Sequence, residues 1–129
     1  MNKNNIFKSK KLSWFLLFIL FLFLLPRVSF GAEGDLIWEK VVNLSGGEDA
    51  AFGMAVDSTG VYVAGSQNNS ALWRVEKRSL ADGSLIWEKA VNLSGGYDSA
   101  SGIAVDSTGV YISGYQSNWS FWRIEKRSS

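Results

Sequence analysis

Gly34-Asp-Leu-Ile-Trp-Glu-Lys40 lies over Gly83-Ser-Leu-Ile-Trp-Glu-Lys89 without a gap, an offset of 49 residues from Gly34 to Gly83. The register holds to the end of the chain. Asn43-Leu-Ser-Gly-Gly47 returns as Asn92 to Gly96, Ala55-Val-Asp-Ser-Thr-Gly-Val-Tyr62 as Ala104 to Tyr111, and Glu76-Lys-Arg-Ser79 as Glu125 to Ser128. About two-thirds of the aligned positions are identical, far above coincidence. A period in the 40–50 range suits a four-stranded propeller blade. Two-helix repeats of similar length need apolar residues at helical spacing, which this sequence lacks.

Turn chemistry divides each unit into four short strands. Residues 53–57 precede Ser58-Thr59-Gly60, where Asp57 opens a tight turn and Gly60 closes it, and residues 61–65 return as the second strand. After the polar stretch Ser66-Gln-Asn-Asn-Ser70, Trp73 and Val75 alternate with Arg74 and Glu76 across 72–78, the pattern of a half-buried strand. Ala81-Asp82-Gly83 forms the next turn, and 85–93 completes the unit. The second unit supplies strands at 102–106, 110–114 and 121–127. The strand that would follow them is present before the first unit, as 36–44. With strands lettered A to D within a blade, the chain reads D-ABCD-ABC. The expected fold is therefore all-β, two four-stranded antiparallel propeller-blade repeats at about 34–82 and 83–129. Its circular offset lets an N-terminal strand complete another blade.

Composition narrows the chemistry. The 129 residues include no Cys and no His, which excludes Ser-His-Asp and Cys-His catalysis, Cys/His metal centres and disulfides. Aromatic residues make up 14%, with six Trp and one Pro, a composition suited to strands rather than disorder. Lys3, Lys8, Lys10 and Lys11 precede an unbroken apolar run from Trp14 to Leu25, followed by Pro26, Ser29 and Gly31. This is the plan of a signal peptide over 1–31, with the repeat region at 32–129 exported to the periplasm, the cell surface or the medium. Removing five of the thirteen cations and no acid leaves eight basic against twelve acidic side chains, a net charge of −4. No basic stripe remains, so neither nucleic acid nor, after cleavage, an anionic membrane surface is an expected partner.

Asp98-x-Ala100-x-Gly102-Ile-Ala-Val-Asp-Ser-Thr-Gly-Val-Tyr-Ile-Ser-Gly114, with Trp122-Arg-Ile-Glu-Lys126 and Gly83-Ser-Leu-Ile-Trp87, resembles the secreted bacterial β-propeller repeat (SBBP) of the seven-bladed type. The resemblance covers nearly all of the chain beyond residue 31. It implies a propeller fold and an extracellular setting, but no single activity. Gly83 and Trp87, like Gly34 and Trp38, also resemble the docking pair of quinoprotein propeller blades. That motif expects Ala, Asp and Thr where this chain has Lys77, Ser79 and Asp82, so no quinone and no other cofactor is implied.

The polar candidates have structural explanations. Asp57 and Asp106 open turns, Asp49 and Asp98 suit capping of the Gly-Gly loops better than calcium, and no dense ligand string marks a metal site. Arg74-x-Glu76 and Arg123-x-Glu125 read as solvated charge ladders. Trp38, Trp73, Trp87 and Trp122 recur at repeat spacing and suit packing between blades. Asn43, Asn68, Asn92 and Asn118 each head an Asn-x-Ser sequon whose use depends on the host.

Subtracting one unit from the other isolates a different signal. The pairs Glu48/Tyr97, Ser66/Tyr115, Asn68/Ser117 and Ser70/Trp119 differ strongly, and all fall in the D-to-A and B-to-C connections. These emerge at one end of a blade, whereas the turns at the other end, 57–60 and 106–109, are identical. The second unit thus presents Tyr97, Tyr115 and Trp119 with Gln116 and Asn118, apolar rings beside amides that suit a glycan or a peptide. The expectation is a non-catalytic binding or scaffold module. The alternative is a piece of a larger propeller enzyme, a hydrolase, lyase or dehydrogenase with its catalytic groups elsewhere.

Two blades do not close a propeller of about four to eight. Three arrangements are open: a piece of a longer propeller, a homo-oligomer in which strand 36–44 pairs with 121–127 of a neighbour, or a monomeric two-sheet sandwich. Open flanks are expected to leave Trp73, Val75, Trp87 and Val91 without a neighbouring blade.

Overall fold

The computed structural model describes residues 32–129, so the signal peptide expected over 1–31 lies outside the described residues. Seven strands follow in order: β1 (Ala50–Asp57), β2 (Gly60–Gln67), β3 (Leu72–Arg78), β4 (Leu85–Val91), β5 (Ser99–Asp106), β6 (Gly109–Gln116) and β7 (Phe121–Arg127). No helix occurs among the described residues. The strands form two antiparallel meanders, β1-β2-β3-β4 and β5-β6-β7, the first completed by β4 from the start of the 83–129 repeat, and the sheets do not close on each other.

The hairpin turns follow from the Asp-Ser-Thr-Gly sequence. Asp57 Oδ1 accepts hydrogen bonds from the backbone of Thr59 at 2.7 Å and Gly60 at 3.1 Å, and from the Thr59 hydroxyl at 2.7 Å. The Lys77 ammonium donates to Thr59 Oγ1 at 2.9 Å and lies 5.1 Å from the centre of the Tyr62 ring. Asp106, Thr108, Tyr111 and Lys126 repeat the arrangement. β1 and β5 begin three residues before their expected starts. A bulge between Ala51 and Gly53, repeated between Ala100 and Gly102, absorbs the irregularity and lets pairing continue.

Register fixes which side chains share a face. In the first sheet Ala64 pairs with Val75 and Ser66 with Trp73, while Val63 pairs with Glu76 and Gly65 with Arg74. In the second, Ile112 pairs with Ile103 and Glu125, whereas Tyr115 pairs with Ser99 and Trp122. The Tyr62/Ala64/Trp73/Val75 face of the first sheet packs against the Ala100/Val110/Ile112 face of the second, with Trp87, Leu93, Ile103 and Val105 at the margin. Trp73 anchors the junction: its Nε1 donates to Glu125 Oε1 at 3.1 Å, and the Arg123 guanidinium lies 5.7 Å from its ring centre.

Three expectations are corrected. Residues 36–44 form no strand. The segment runs over the outer face of the first sheet, where Trp38 Nε1 donates to the Leu80 carbonyl at 3.1 Å and Gln67 Nε2 to the Leu44 carbonyl at 3.3 Å. It lies on a face rather than along a sheet edge, so its backbone meets no ladder partner.

The open flank is also different. Trp73 and Val75 are fully buried between the sheets, whereas their counterparts Trp122 and Ile124 are 87% and 72% exposed. Finally, the Arg74-Glu76 ladder is buried rather than solvated. Arg74 bonds both Glu76 and Glu88, and Arg78 reaches Glu76, beneath the cleft that residues 40–44 help to line.

Candidate functional site

One end of the second sheet is built from the connection 92–98 and the turn 117–120, and a carboxylate ties the two together. Asp98 is fully buried. Its Oδ2 accepts from Leu93 N at 2.7 Å, and its Oδ1 accepts from Ser94 Oγ at 2.7 Å and Ser117 N at 3.1 Å. Burial opposes ionisation here, but the Ser94 hydroxyl and the Leu93, Ser117 and Ser94 amides outweigh it and hold the carboxyl below its ordinary value. Asn92 Oδ1 caps Gly95 N at 2.7 Å, and Gly95 takes a φ of +72° that completes the bend.

Asn118 clamps the two segments a second time. Its Oδ1 accepts from Tyr97 N at 2.9 Å and its own N–H donates to Tyr97 O at 3.2 Å. A Cβ on Gly96 would stand 2.9 Å from Asn118 Oδ1, so the absence of a side chain there leaves the clamp room to close.

The first unit has the same frame. Asp49 accepts from Leu44 N, Ser45 Oγ and Asn68 N, and Asn69 clamps Glu48 through the matching pair of bonds. Asp49 and Asp98 therefore hold loop backbone, as their spacing suggests. Each of these carboxylates has its oxygens engaged by amides and hydroxyls.

The rings of the second unit are added to this frame. Tyr115 and Trp119 stack with centroids 3.7 Å apart and planes 16° from parallel. In the first unit the same positions hold a hydroxyl pair, Ser66 Oγ and Ser70 Oγ, 3.3 Å apart. Trp119 is exposed, and so is Tyr97, whose backbone joins the cluster through Asn118.

The turn that carries Trp119 is left-handed over three residues. Ser117, Asn118 and Trp119 have φ of 57°, 55° and 69°, closed by Ser120 N donating to Ser117 O at 3.1 Å. That conformation costs about 1–2 kcal/mol per non-glycine residue. Asn68, Asn69 and Ser70 adopt it too, at 58°, 55° and 62°. The turn is thus a device of the repeat, and the second unit uses it to present an indole.

Of the five residues expected at the site, the structure joins four: Tyr97, Tyr115, Asn118 and Trp119. Gln116 follows Tyr115 along the strand and so lies on the opposite face, the position from which Gln67 reaches Leu44 O and Arg74. Asn118 holds the loop through its side-chain oxygen and backbone. The left-handed turn escaped sequence reasoning, because neither Asn-Asn-Ser nor Ser-Asn-Trp carries the glycine that usually marks it.

The cluster offers the stacked Tyr115 and Trp119 rings, and the turn carboxylates lie elsewhere on the sheets. Thr59 and Thr108 hold Asp57 and Asp106 below the usual carboxylate range, chiefly through their hydroxyls, and Ser79 with Ser84 hold Asp82 at about 2. A carboxylate so stabilised stays ionised at neutral pH and is a poor general acid. Among the described residues, no group of three carboxylates is placed to hold a metal ion. Comparison of the chain with protein-family models, with curated proteins and with solved structures returns no match.

Proposed function

We propose that this chain is an exported repeat protein whose two units are propeller-type blades, and that it works as a non-catalytic binding module. The ligand is a neutral glycan seated on the Tyr97, Tyr115 and Trp119 rings of the second unit. One observation carries the reading: the loop frames of the two units share their clamping bonds, yet a Ser-Ser pair in one is a stack of half-buried Tyr115 and exposed Trp119 in the other. A large indole held outward on a left-handed turn contributes little to the core. It offers a flat apolar surface against which the C–H face of a sugar ring can lie, while nearby amide and hydroxyl groups fix its orientation.

The blade assignment is supported by the four-strand meander, the 49-residue period and the face-to-face packing of consecutive units. Export is supported by the basic and apolar pattern of residues 3–25. A glycan array probed with the purified chain and with Trp119→Gly tests the function. Binding by the parent that falls at least tenfold in the variant is the expected result. No glycan binding, or binding that survives the substitution, overturns the assignment, and capture of extended peptides by the same rings would redirect it to a peptide module.

A further inference from the structure

The junction between the two sheets joins two different faces, and the repeat places a second copy of each face elsewhere on the molecule. On one side are Tyr62, Trp73 and Val75, whose counterparts 49 positions later are Tyr111, Trp122 and Ile124. On the other are Ala100, Ile103, Val105, Val110, Ile112 and Glu125, with counterparts Ala51, Met54, Val56, Val61, Val63 and Glu76. Burial reports the difference directly. Trp122 and Ile124 stand open on the second sheet, and Met54 on the first is 68% exposed.

The first sheet's free face also carries a mould. A cleft of about 420 Å³ lies between it and the segment 36–44, lined by Trp38, Lys40 and Val42 on one side and by Met54, Val63 and Glu76 on the other. At the equivalent place in the observed junction, between β4 and the second sheet, sits the Tyr62/Trp73/Val75 face.

We infer that a second copy of this chain docks head to tail, its Trp122/Ile124/Tyr111 face entering the Met54/Val63/Glu76 cleft of the first. The observed junction supplies the contacts. Trp122 Nε1 donates to Glu76 of the next copy, as Trp73 Nε1 does to Glu125, and Arg74 of that copy lies over the Trp122 ring, as Arg123 lies over Trp73.

The same correspondence explains why residues 36–44 lie unpaired on the first sheet. In the first sheet Trp73, Val75 and Lys77 of β3 pair with Val91, Lys89 and Trp87 of β4. Shifted by one unit, Trp122, Ile124 and Lys126 of one copy pair with Val42, Lys40 and Trp38 of the next. Those residues are already stationed there, because the Trp38 ring rests against Gly83 and Leu44 N is held by Asp49. The docked copy thereby gains a fourth strand on its open β7 edge. Tyr115 lies opposite Trp122 across the β6–β7 ladder, so the docked face borders the ring cluster, and the association is measured without glycan so that it is tested apart from the proposed function.

The contact joins unlike faces, so it predicts a specific complementation pattern. Trp122→Glu removes the donor face and leaves the cleft, whereas Met54→Arg blocks the cleft and leaves the donor face. Both positions are exposed, and unchanged circular dichroism confirms that each variant folds. Analytical ultracentrifugation of the full chain should show association that rises with concentration, and each variant alone should sediment as a monomer. Mixed in equal amounts, the two variants should give a species of twice the monomer mass that grows no further. A parent chain that stays monomeric at several hundred micromolar overturns the inference. So does continued self-association of either variant, or a mixture that fails to form the paired species.

Discussion

Trp73→Ala and Trp122→Ala remove the same side chain from the same position of the two units, and the fold makes their consequences very different. Trp73 is fully buried in the core cluster, its ring lies beside Gly114, and it gives its indole N–H to Glu125. Truncating a buried aromatic costs about 3–5 kcal/mol in lost transfer energy and residual cavity. Glu125 keeps Arg123 and Arg127, so the lost hydrogen bond adds only about 1 kcal/mol. Against a total stability of about 5–15 kcal/mol, a loss of about 4–6 kcal/mol brings the variant close to unfolding.

Trp122 is 87% exposed, and its removal from a dilute monomer should change stability by no more than about 0.5 kcal/mol. Urea unfolding at low micromolar concentration separates the cases. With a slope of about 1.5 kcal/mol/M, Trp73→Ala lowers the midpoint by roughly 3–4 M and Trp122→Ala leaves it nearly unmoved. Equal losses from the two substitutions, or a loss below about 1 kcal/mol from Trp73→Ala, would refute the burial of Trp73 between the sheets.

Three further outcomes follow from the loops and the junction. Trp119→Gly forfeits about 0.5–1.5 kcal/mol of ring stacking but relieves about 1–2 kcal/mol of left-handed strain. Thermal unfolding of this variant should therefore match the parent within about 1 kcal/mol. Asp98 is held ionised by Ser94, Leu93 and Ser117, so its contribution is present above the ordinary carboxylate range and is lost as pH falls through its depressed value. Urea midpoints measured from pH 5 to pH 2 should fall less steeply in Asp98→Asn than in the parent. A Cβ at Gly114 would overlap the Ser99 carbonyl oxygen and lie 2.8 Å from the Trp73 ring, so Gly114→Ala should cost about 3 kcal/mol or more, read by the same titration.

Most of the sheet structure is legible in the sequence, because each strand boundary is written in local chemistry. Asp-Ser-Thr-Gly closes both hairpins, and the alternation in 72–78 and 121–127 matches the pleat. What escapes sequence reasoning depends on partners. Residues 36–44 have the composition of β4, but a strand exists only where an edge receives it, and their sequence does not name the edge. Arg74 and Arg123 are the same residue in the same motif, yet the side chains are 7% and 33% exposed because different neighbours lie over them. Likewise, repeat spacing marks Trp73 and Trp122 as packing residues without saying which has its partner within the chain.

At the candidate site, subtraction of the two units isolates the aromatic substitutions, and the shared end of the sheet brings Tyr97, Tyr115 and Trp119 into one cluster. The separation of Gln116 follows from strand alternation, which was legible. The left-handed turn was not, since it is imposed by the amides and carboxylates that grip it rather than by glycine.

The chain holds its own internal control, because the loop frames of its two units are equivalent and only one carries the rings. Nitrogen-15 NMR during titration with oligosaccharides that score on the array reads both ends in one sample. The Trp119 indole and the Tyr97 and Asn118 amides should shift with ligand, while Glu48 and Asn69 amides at the matching positions stay still. Equal shifts at both ends, or shifts confined to residues outside the cluster, would contradict glycan binding on the rings of the second unit.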